Sequence, residues 1–242
     1  MKTRGVKRSL ACFMLGFGCF PSNSGFAATS EMVERSVSFG PFVKIQLESS
    51  DRVEVHQGRF ASVVIRGALK AVQAAKVAVL DGRIIVTRST TQNPASDLHD
   101  GFVVEITIPV VEEVAILGSG EVQLEGMKLP SFLGRVDGSG ALDLINASVD
   151  KVSFQVNGSG TVEASGAARS MNVEMTGSGS FDGAGLLVQD LNVHSSGSGS
   201  VLASASHETV VNVSGSGFVK VKGGSNCQTN VSGAGKVKCD WP

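Results

Sequence analysis

Along most of the chain, apolar and polar residues alternate with a period of two. Phe42-Val43-Lys44-Ile45-Gln46-Leu47 and Arg52-Val53-Glu54-Val55-His56 do so, and so do Ser62 to Arg66 and Lys76 to Leu80. Asp81-Gly82 is a tight-turn pair leading into Arg83-Ile84-Ile85-Val86-Thr87. Alternation of this kind puts one face of a strand inward and the other outward, and Asp-Gly between two such runs predicts a hairpin. Ala68 to Ala75 breaks the pattern and reads as one short helix or an irregular crossing. Ser89 to Gly101 is a polar loop with strong turn chemistry, and Phe102 to Pro109 is a further strand.

From Val114 onward the alternation is punctuated by a triplet. Gly-Ser-Gly begins at Gly118, Gly138, Gly158, Gly177, Gly197 and Gly215, and Gly-Ala-Gly begins at Gly233. The steps between them are 20, 20, 19, 20, 18 and 18 residues. A fixed period in this range marks stacked structural units. Two residues past each triplet stand Val122, Leu142, Val162, Phe181, Val201, Val219 and Val237. Two residues before it stand Ile116, Val136, Val156, Met175, Ser195, Val213 and Val231. A strand therefore flanks each triplet on both sides, with these positions inward. Two glycines let the chain turn sharply, since positive φ is cheap only for Gly. Six residues after the triplet, Gly126, Asn146, Gly166, Gly185, Ala205 and Gly223 suggest a second corner. A short arc of variable length completes the unit. The expected fold is all-β: a right-handed parallel β-helix of about seven C-terminal coils, roughly 30–35 Å long at about 4.8 Å per rung. The strand-rich region 36–113 would cap one end of the repeat region 114–242.

The first residues do not belong to this pattern. Lys2, Arg4, Lys7 and Arg8 precede an apolar run from Ser9 to Phe20, and Gly25-Phe26-Ala27 offers a small-residue cleavage site. Residues 1–27 are expected to be a secretory signal peptide. Gly16 stands where a lipoprotein signal would carry Leu before Cys19, so lipidation is not expected. No later run is long enough for a transmembrane helix. The whole chain has 21 Lys+Arg and 22 Asp+Glu; the signal holds four of the bases and no acid, which leaves 17 against 22, or −5. An acidic chain is a poor partner for nucleic acid or anionic membrane.

Cys227 and Cys239 remain after cleavage, both inward by phase. An even pair in an exported chain is a disulfide candidate. It would clasp the last coil and contribute about 3 kcal/mol; two buried free thiols are the alternative.

Several pieces in order resemble a known family: Val53-Glu54-Val55-His56-Gln57-Gly58, Asp81-Gly82-Arg83-Ile84-Ile85-Val86, Val104-Glu105-Ile106-Thr107-Ile108-Pro109 and Val114-Ala115-Ile116-Leu117-Gly118-Ser119-Gly120. The chain is similar to the head GIN domain family described as "putative auto-transporter adhesin" over residues 36–238, as one continuous domain. The resemblance implies an exported β-helical protein with an adhesive role, and it carries no catalytic residues to transfer.

Candidate chemistry is sparse. His56, His99, His194 and His207 have no Cys, Asp or Glu partner at metal-ligand spacing, and no Ser/His/Asp set can be argued, so neither a catalytic site nor a cofactor is expected. Gly177 to Asp182 resembles a calcium-binding nonapeptide only superficially, because the period here is about twice as long. Asp143, Glu163 and Asp182 share one phase on neighbouring rungs. Three stacked carboxylates repel, and solvent, a weakly held cation or a raised pKa must relieve them. A retaining-glycosidase pair would match that spacing, yet no aromatic platform accompanies it. The expected function is a non-enzymatic, exported binding or adhesin-like module, periplasmic or at the cell surface, with a glycan or an envelope protein as partner. The alternatives are a self-assembling envelope protein and, behind it, a carbohydrate-active enzyme.

Overall fold

The computed structural model describes residues 32–89, 101–223 and 226–240. The expected signal peptide, His99 and most of the polar loop lie outside the described residues. The first half contributes β1 (Met32–Val37), β2 (Lys44–Leu47), β3 (Arg52–Gln57), β4 (Ser62–Ala68), α1 (Leu69–Ala74), β5 (Ala75–Leu80), β6 (Arg83–Arg88), β7 (Phe102–Ile108), β8 (Glu113–Gly118) and β9 (Glu121–Glu125). The repeats contribute β10 (Lys128–Gly138), β11 (Ala141–Gly158), β12 (Thr161–Gly177), β13 (Ser180–Gly197), β14 (Ser200–Gly215), β15 (Phe218–Lys222), β16 (Asn226–Gly233) and β17 (Lys236–Asp240). Together they form a parallel β-solenoid of about six turns, close to the seven coils expected from the triplets.

Each turn has three faces. Face A holds the residues before each triplet, face B those after it, and face C the arc. On face A the first Gly of every triplet pairs with the first Gly of the next, from Gly118 to Gly233. The inward rows are closed to solvent: Val136, Val156, Leu142, Phe181 and Val201 are all buried. Face C was not expected to be regular. The variable arcs nevertheless pair, with Leu129 opposite Val149, Val149 opposite Ala168 and Ala168 opposite Val188. β11 to β14 therefore run unbroken through the second corner. Register shifts at Leu144/Ala147 and Gly183/Leu187 absorb the differences in repeat length.

The two glycines of a triplet do different things. The first has positive φ, as at Gly158 (118°) and Gly177 (113°). The third has no φ in that range, so its requirement is space. A Cβ on Gly160 would lie 2.5 Å from Val136 Cγ1, and one on Gly140 2.6 Å from Ile116 Cγ2. The inward side chain of the preceding strand fills the corner, and only hydrogen fits beside it. At the second corner the left-handed region is used at Gly126, Asn146, Gly166 and Gly223, whereas Gly185 and Ala205 are outside it. Size is balanced elsewhere too. Phe154 fills the space left by Gly134, and Phe181 that left by Gly183. The two rings pack 5.2 Å apart.

One inward position breaks the apolar rule. Ser195 is fully buried between Met175 and Val213, and its hydroxyl has no hydrogen-bond partner. Burying an unsatisfied hydroxyl is costly. Val occupies the same phase at Val136 and Val156, packed against the third Gly of the next triplet. Ser195→Val is therefore expected to stabilise the protein by about 1 kcal/mol. Thermal unfolding checks this, and a lower melting temperature would show that the corner over Gly217 cannot take the added methyl.

The N-terminal strands close one end. β2 is inserted between β6 and β8, and β3 between β7 and β9, all parallel, so spatial order differs from chain order. Beyond them the direction reverses: β5 pairs antiparallel with β6, β4 with β7, and β1 with β4. α1 buries Ala71 and Val72 at this end. Parallel stacking cannot continue through such a lid, although among the described residues β1 pairs with β4 alone and β5 with β6 alone.

The corner between β6 and β7 has no Gly-Ser-Gly. Asp51, 4 % exposed and just before β3 on the neighbouring rung, ties the end of β6 to the start of β7. Its carboxylate accepts the Phe102 N–H at 3.1 Å and pairs with the Arg88 guanidinium, whose Nε lies 3.1 Å away. Arg88 also stands over the Phe102 ring, 5.0 Å from its centre.

Candidate functional site

Three surfaces carry the chain's polar chemistry. The first is the outward side of face A. Arg135, Gln155, Glu174, His194, Asn212 and Asn230 form one row in register, and Asp137, Asn157, Thr176, Ser196, Ser214 and Ser232 form another. Neighbouring rungs bond to each other along the rows. Arg135 donates to Gln155 Oε1 at 2.8 Å, Gln155 donates to Glu174 at 3.1 Å, and Asn157 donates to Asp137 at 2.6 Å. These ladders hold donors and acceptors at fixed spacing before any partner arrives, which lowers the ordering cost of binding.

The second surface was not visible in the sequence. A groove of about 700 Å³ runs along the stack where face C bends into face A. One bank is Leu133, Ser153, Asn172, Asn192 and Val210, in register across five strands. The other carries Ser131, Lys151, Ser170, Asp190 and Glu208. Its floor is apolar, from Phe132, Val152, Met171 and Leu191. The phase of these residues is legible, but the bend that makes them concave depends on arcs whose lengths differ. Two polar pairs stand beside the bank of Lys151, Ser170 and Asp190. Asp150 bonds Arg169, which holds the Asp150 carboxyl below its ordinary range, and Asp190 bonds the His207 imidazole at 2.8 Å. That hydrogen bond, with the Asp190 charge, raises the His207 pKa.

The third surface is the acidic row on face B. Asp143 pairs in register with Glu163, and Glu163 with Asp182, so the three stand on adjacent rungs. Asp182 accepts the Ala184 N–H at 3.1 Å. Asp143 is pushed up from the usual carboxylate range, first by burial, then by Glu121 and Glu163, with Arg52 opposing. Arg52 is engaged by Glu121 at 2.7 Å. Among the described residues, no three His, Cys, Asp or Glu side chains converge to hold a metal ion.

The sign of the Asp143 shift sets a pH dependence. The folded chain binds this proton more tightly than the unfolded chain does. The charged carboxylate therefore opposes folding above the folded-state pKa, and that penalty is relieved as pH falls toward the ordinary carboxylate value. Asp143→Asn is expected to raise the melting temperature at neutral pH and to leave it little changed near pH 4. Melting curves at the two pH values check this; a neutral-pH loss would mean that the carboxylate is stabilising as an anion.

Cys227 and Cys239 are joined in a disulfide, with Cα atoms 6.6 Å apart, which ties β16 to β17. His194 lies in the face A row, and His56 is exposed at the end of β3.

A parallel solenoid with a filled interior and bonded polar rows outside is a repeat-built scaffold. The chain matches the family described as "Putative auto-transporter adhesin, head GIN domain" over residues 41–225, and it belongs to that family. Three solved structures share the fold. A "putative adhesin" from Bacteroides fragilis is 21% identical with a TM-score of 0.80, covering 88% of this chain and 98% of its own. A "putative lipid binding protein" from Parabacteroides distasonis is 16% identical with a TM-score of 0.69, covering 88% and 98%. A "putative adhesin" from Parabacteroides merdae is 17% identical with a TM-score of 0.63, covering 88% and 97%. No curated protein matches the chain. Among the described residues, no helix is long and apolar enough to cross a membrane.

Proposed function

We propose that the chain is an exported, non-enzymatic adhesin-like module that binds a glycan or an envelope protein through face A and its groove. The observation that carries this reading is the pair of bonded polar rows that continue past the groove on one face. A partner lying along the stack meets polar donors and acceptors on every rung, so many weak contacts add over a rigid surface. The basic and apolar start of the chain, the disulfide and the family's adhesive description support export. The acidic row on face B would at most hold a cation weakly, as solvent-facing carboxylates do. The neighbour described as lipid binding shares the fold at 16% identity. The groove suits an amphipathic partner better than an acyl chain, because apart from Leu133 and Val210 its banks are hydroxyl, amide and charged side chains over an apolar floor.

The test is binding of the mature chain, residues 28–242, to a panel of glycans and envelope polymers with and without calcium. A hit independent of calcium and lost in Asn172→Ala/Asn192→Ala supports the groove. A hit that needs calcium and is lost when Asp143, Glu163 and Asp182 are neutralised moves the site to face B. A silent panel with a folded protein removes the glycan reading.

A further inference from the structure

The two ends of the solenoid are finished differently. The N-terminal end carries the antiparallel lid. At the other end the inward rows come to the surface. On face A, Val213 is 3 % exposed, and Val231, stacked on it in the last rung, is 40 % exposed. Thr229, stacked on the fully buried Val211, is also exposed. On face B, Val237 and Cys239 are half-buried over Val219 and Val221, which are fully buried. Among the described residues, β16 pairs with β14 alone and β17 with β15 alone, so each has an edge without a strand neighbour. The disulfide bridges the two strands across this mouth.

The rim of the mouth is charged on one side. Lys220 and Lys222 lie in β15, and Lys236 and Lys238 lie beside them in β17, with Lys238 in register with Lys220 and Asp240 with Lys222. The face A side is neutral, with Asn226, Gln228 and Asn230. Lysines on an edge strand ordinarily repel unwanted pairing. Here they flank core positions that are still open, and that combination selects a partner rather than refusing all of them. A second copy meeting this end through its own β17 would bring lysine rows together, and like charges directly opposite are destabilising. The lidded end offers β1, whose Glu34 is already engaged by Arg66 at 3.0 Å, and β5 (Ala75–Leu80), which carries Lys76 and no acid.

We propose that β17 accepts an extended strand from a partner polypeptide, with acidic residues outward over Lys236 and Lys238 and apolar residues inward over Val237 and Cys239. Main-chain hydrogen bonds would supply affinity and the alternating side chains specificity. The disulfide holds both edge strands in place beforehand, which reduces the ordering needed on docking. This site is separate from face A and its groove, so it can fail while the glycan reading stands.

The probes are two synthetic eight-residue peptides, one alternating Val and Glu, the other Val and Lys. Amide hydrogen exchange over Lys236–Asp240 is read in the full chain, together with fluorescence of Trp241, its single tryptophan. The Glu peptide is expected to bind and slow exchange in β17. Lys236→Glu/Lys238→Glu is expected to weaken it about tenfold or more and to admit the Lys peptide instead. If that variant folds poorly, Lys236→Gln/Lys238→Gln together with the salt dependence of the wild type gives the same reading. Exchange unchanged by the Glu peptide, or affinity indifferent to both variants and to salt, overturns the proposal. Protection that rises with protein concentration alone places a second copy on this edge and overturns it too.

Discussion

Gly158→Val is expected to break the stack in the middle. At φ 118° a side chain is strained whatever the space around it. There is also no space, because a Cβ would sit 2.6 Å from the Gly138 carbonyl oxygen of the rung below. That oxygen already accepts the Ser159 N–H at 2.9 Å, so it cannot retreat without losing a ladder bond. Strain and overpacking together make a cost of about 3–5 kcal/mol. In a chain of this size that corresponds to a fall in melting temperature of about 10 °C or more. Because each rung is held chiefly by its neighbours, the damage should appear as early unfolding of β11 to β13. Gly82→Val is the control. Its φ is also positive at 71°, but nothing lies within 4 Å of the added Cβ, so only the strain is felt. Equal losses at the two positions would show that the close approach between rungs contributes nothing.

Asp51→Ala is expected to cost about 3–5 kcal/mol, the range for removing one partner of a buried ion pair. The change takes the acceptor from the buried Phe102 N–H and the carboxylate from Arg88. It does so where two stacked rungs, β2–β3 and β6–β7, are connected without a glycine triplet. Asp51→Asn keeps an acceptor for Phe102 and should cost less, while Asp51→Ala/Arg88→Leu should recover part of the loss by removing the charge left behind. Denaturant unfolding of the three variants measures this. An Asp51→Ala protein as stable as wild type would mean that the lid holds that corner without the pair.

The repeat half was legible because one constraint is written many times over. The period, the inward rows and the polar rows of faces A and B could be read from phase alone, since every strand is anchored to a triplet. The reason for each third glycine could not be read, because it depends on which side chain of the rung below reaches the corner. Face C escaped for a similar reason. Its strand segments are only about three residues long, and register shifts such as Leu144/Ala147 erase their phase. Insertion of β2 and β3 between later strands is a matter of long-range pairing, and no local pattern around Lys44 or Arg52 announces it. Asp51 and Arg88 stand 37 residues apart in otherwise ordinary strand ends. On the candidate surfaces, the acidic row was found by phase and stands in register, whereas the groove needed the bend between faces.

The most direct measurement compares the wild type with Gln155→Ala/Glu174→Ala/His194→Ala on the glycan and envelope-polymer panel, at matched thermal stability. These three side chains point outward from face A in one row, so their loss should alter the contact surface and spare the core. Binding in the wild type and a loss of about tenfold or more in the triple variant is the expected result. Equal binding by both proteins, or a partner recognised only through face B, would contradict face A as the contact surface.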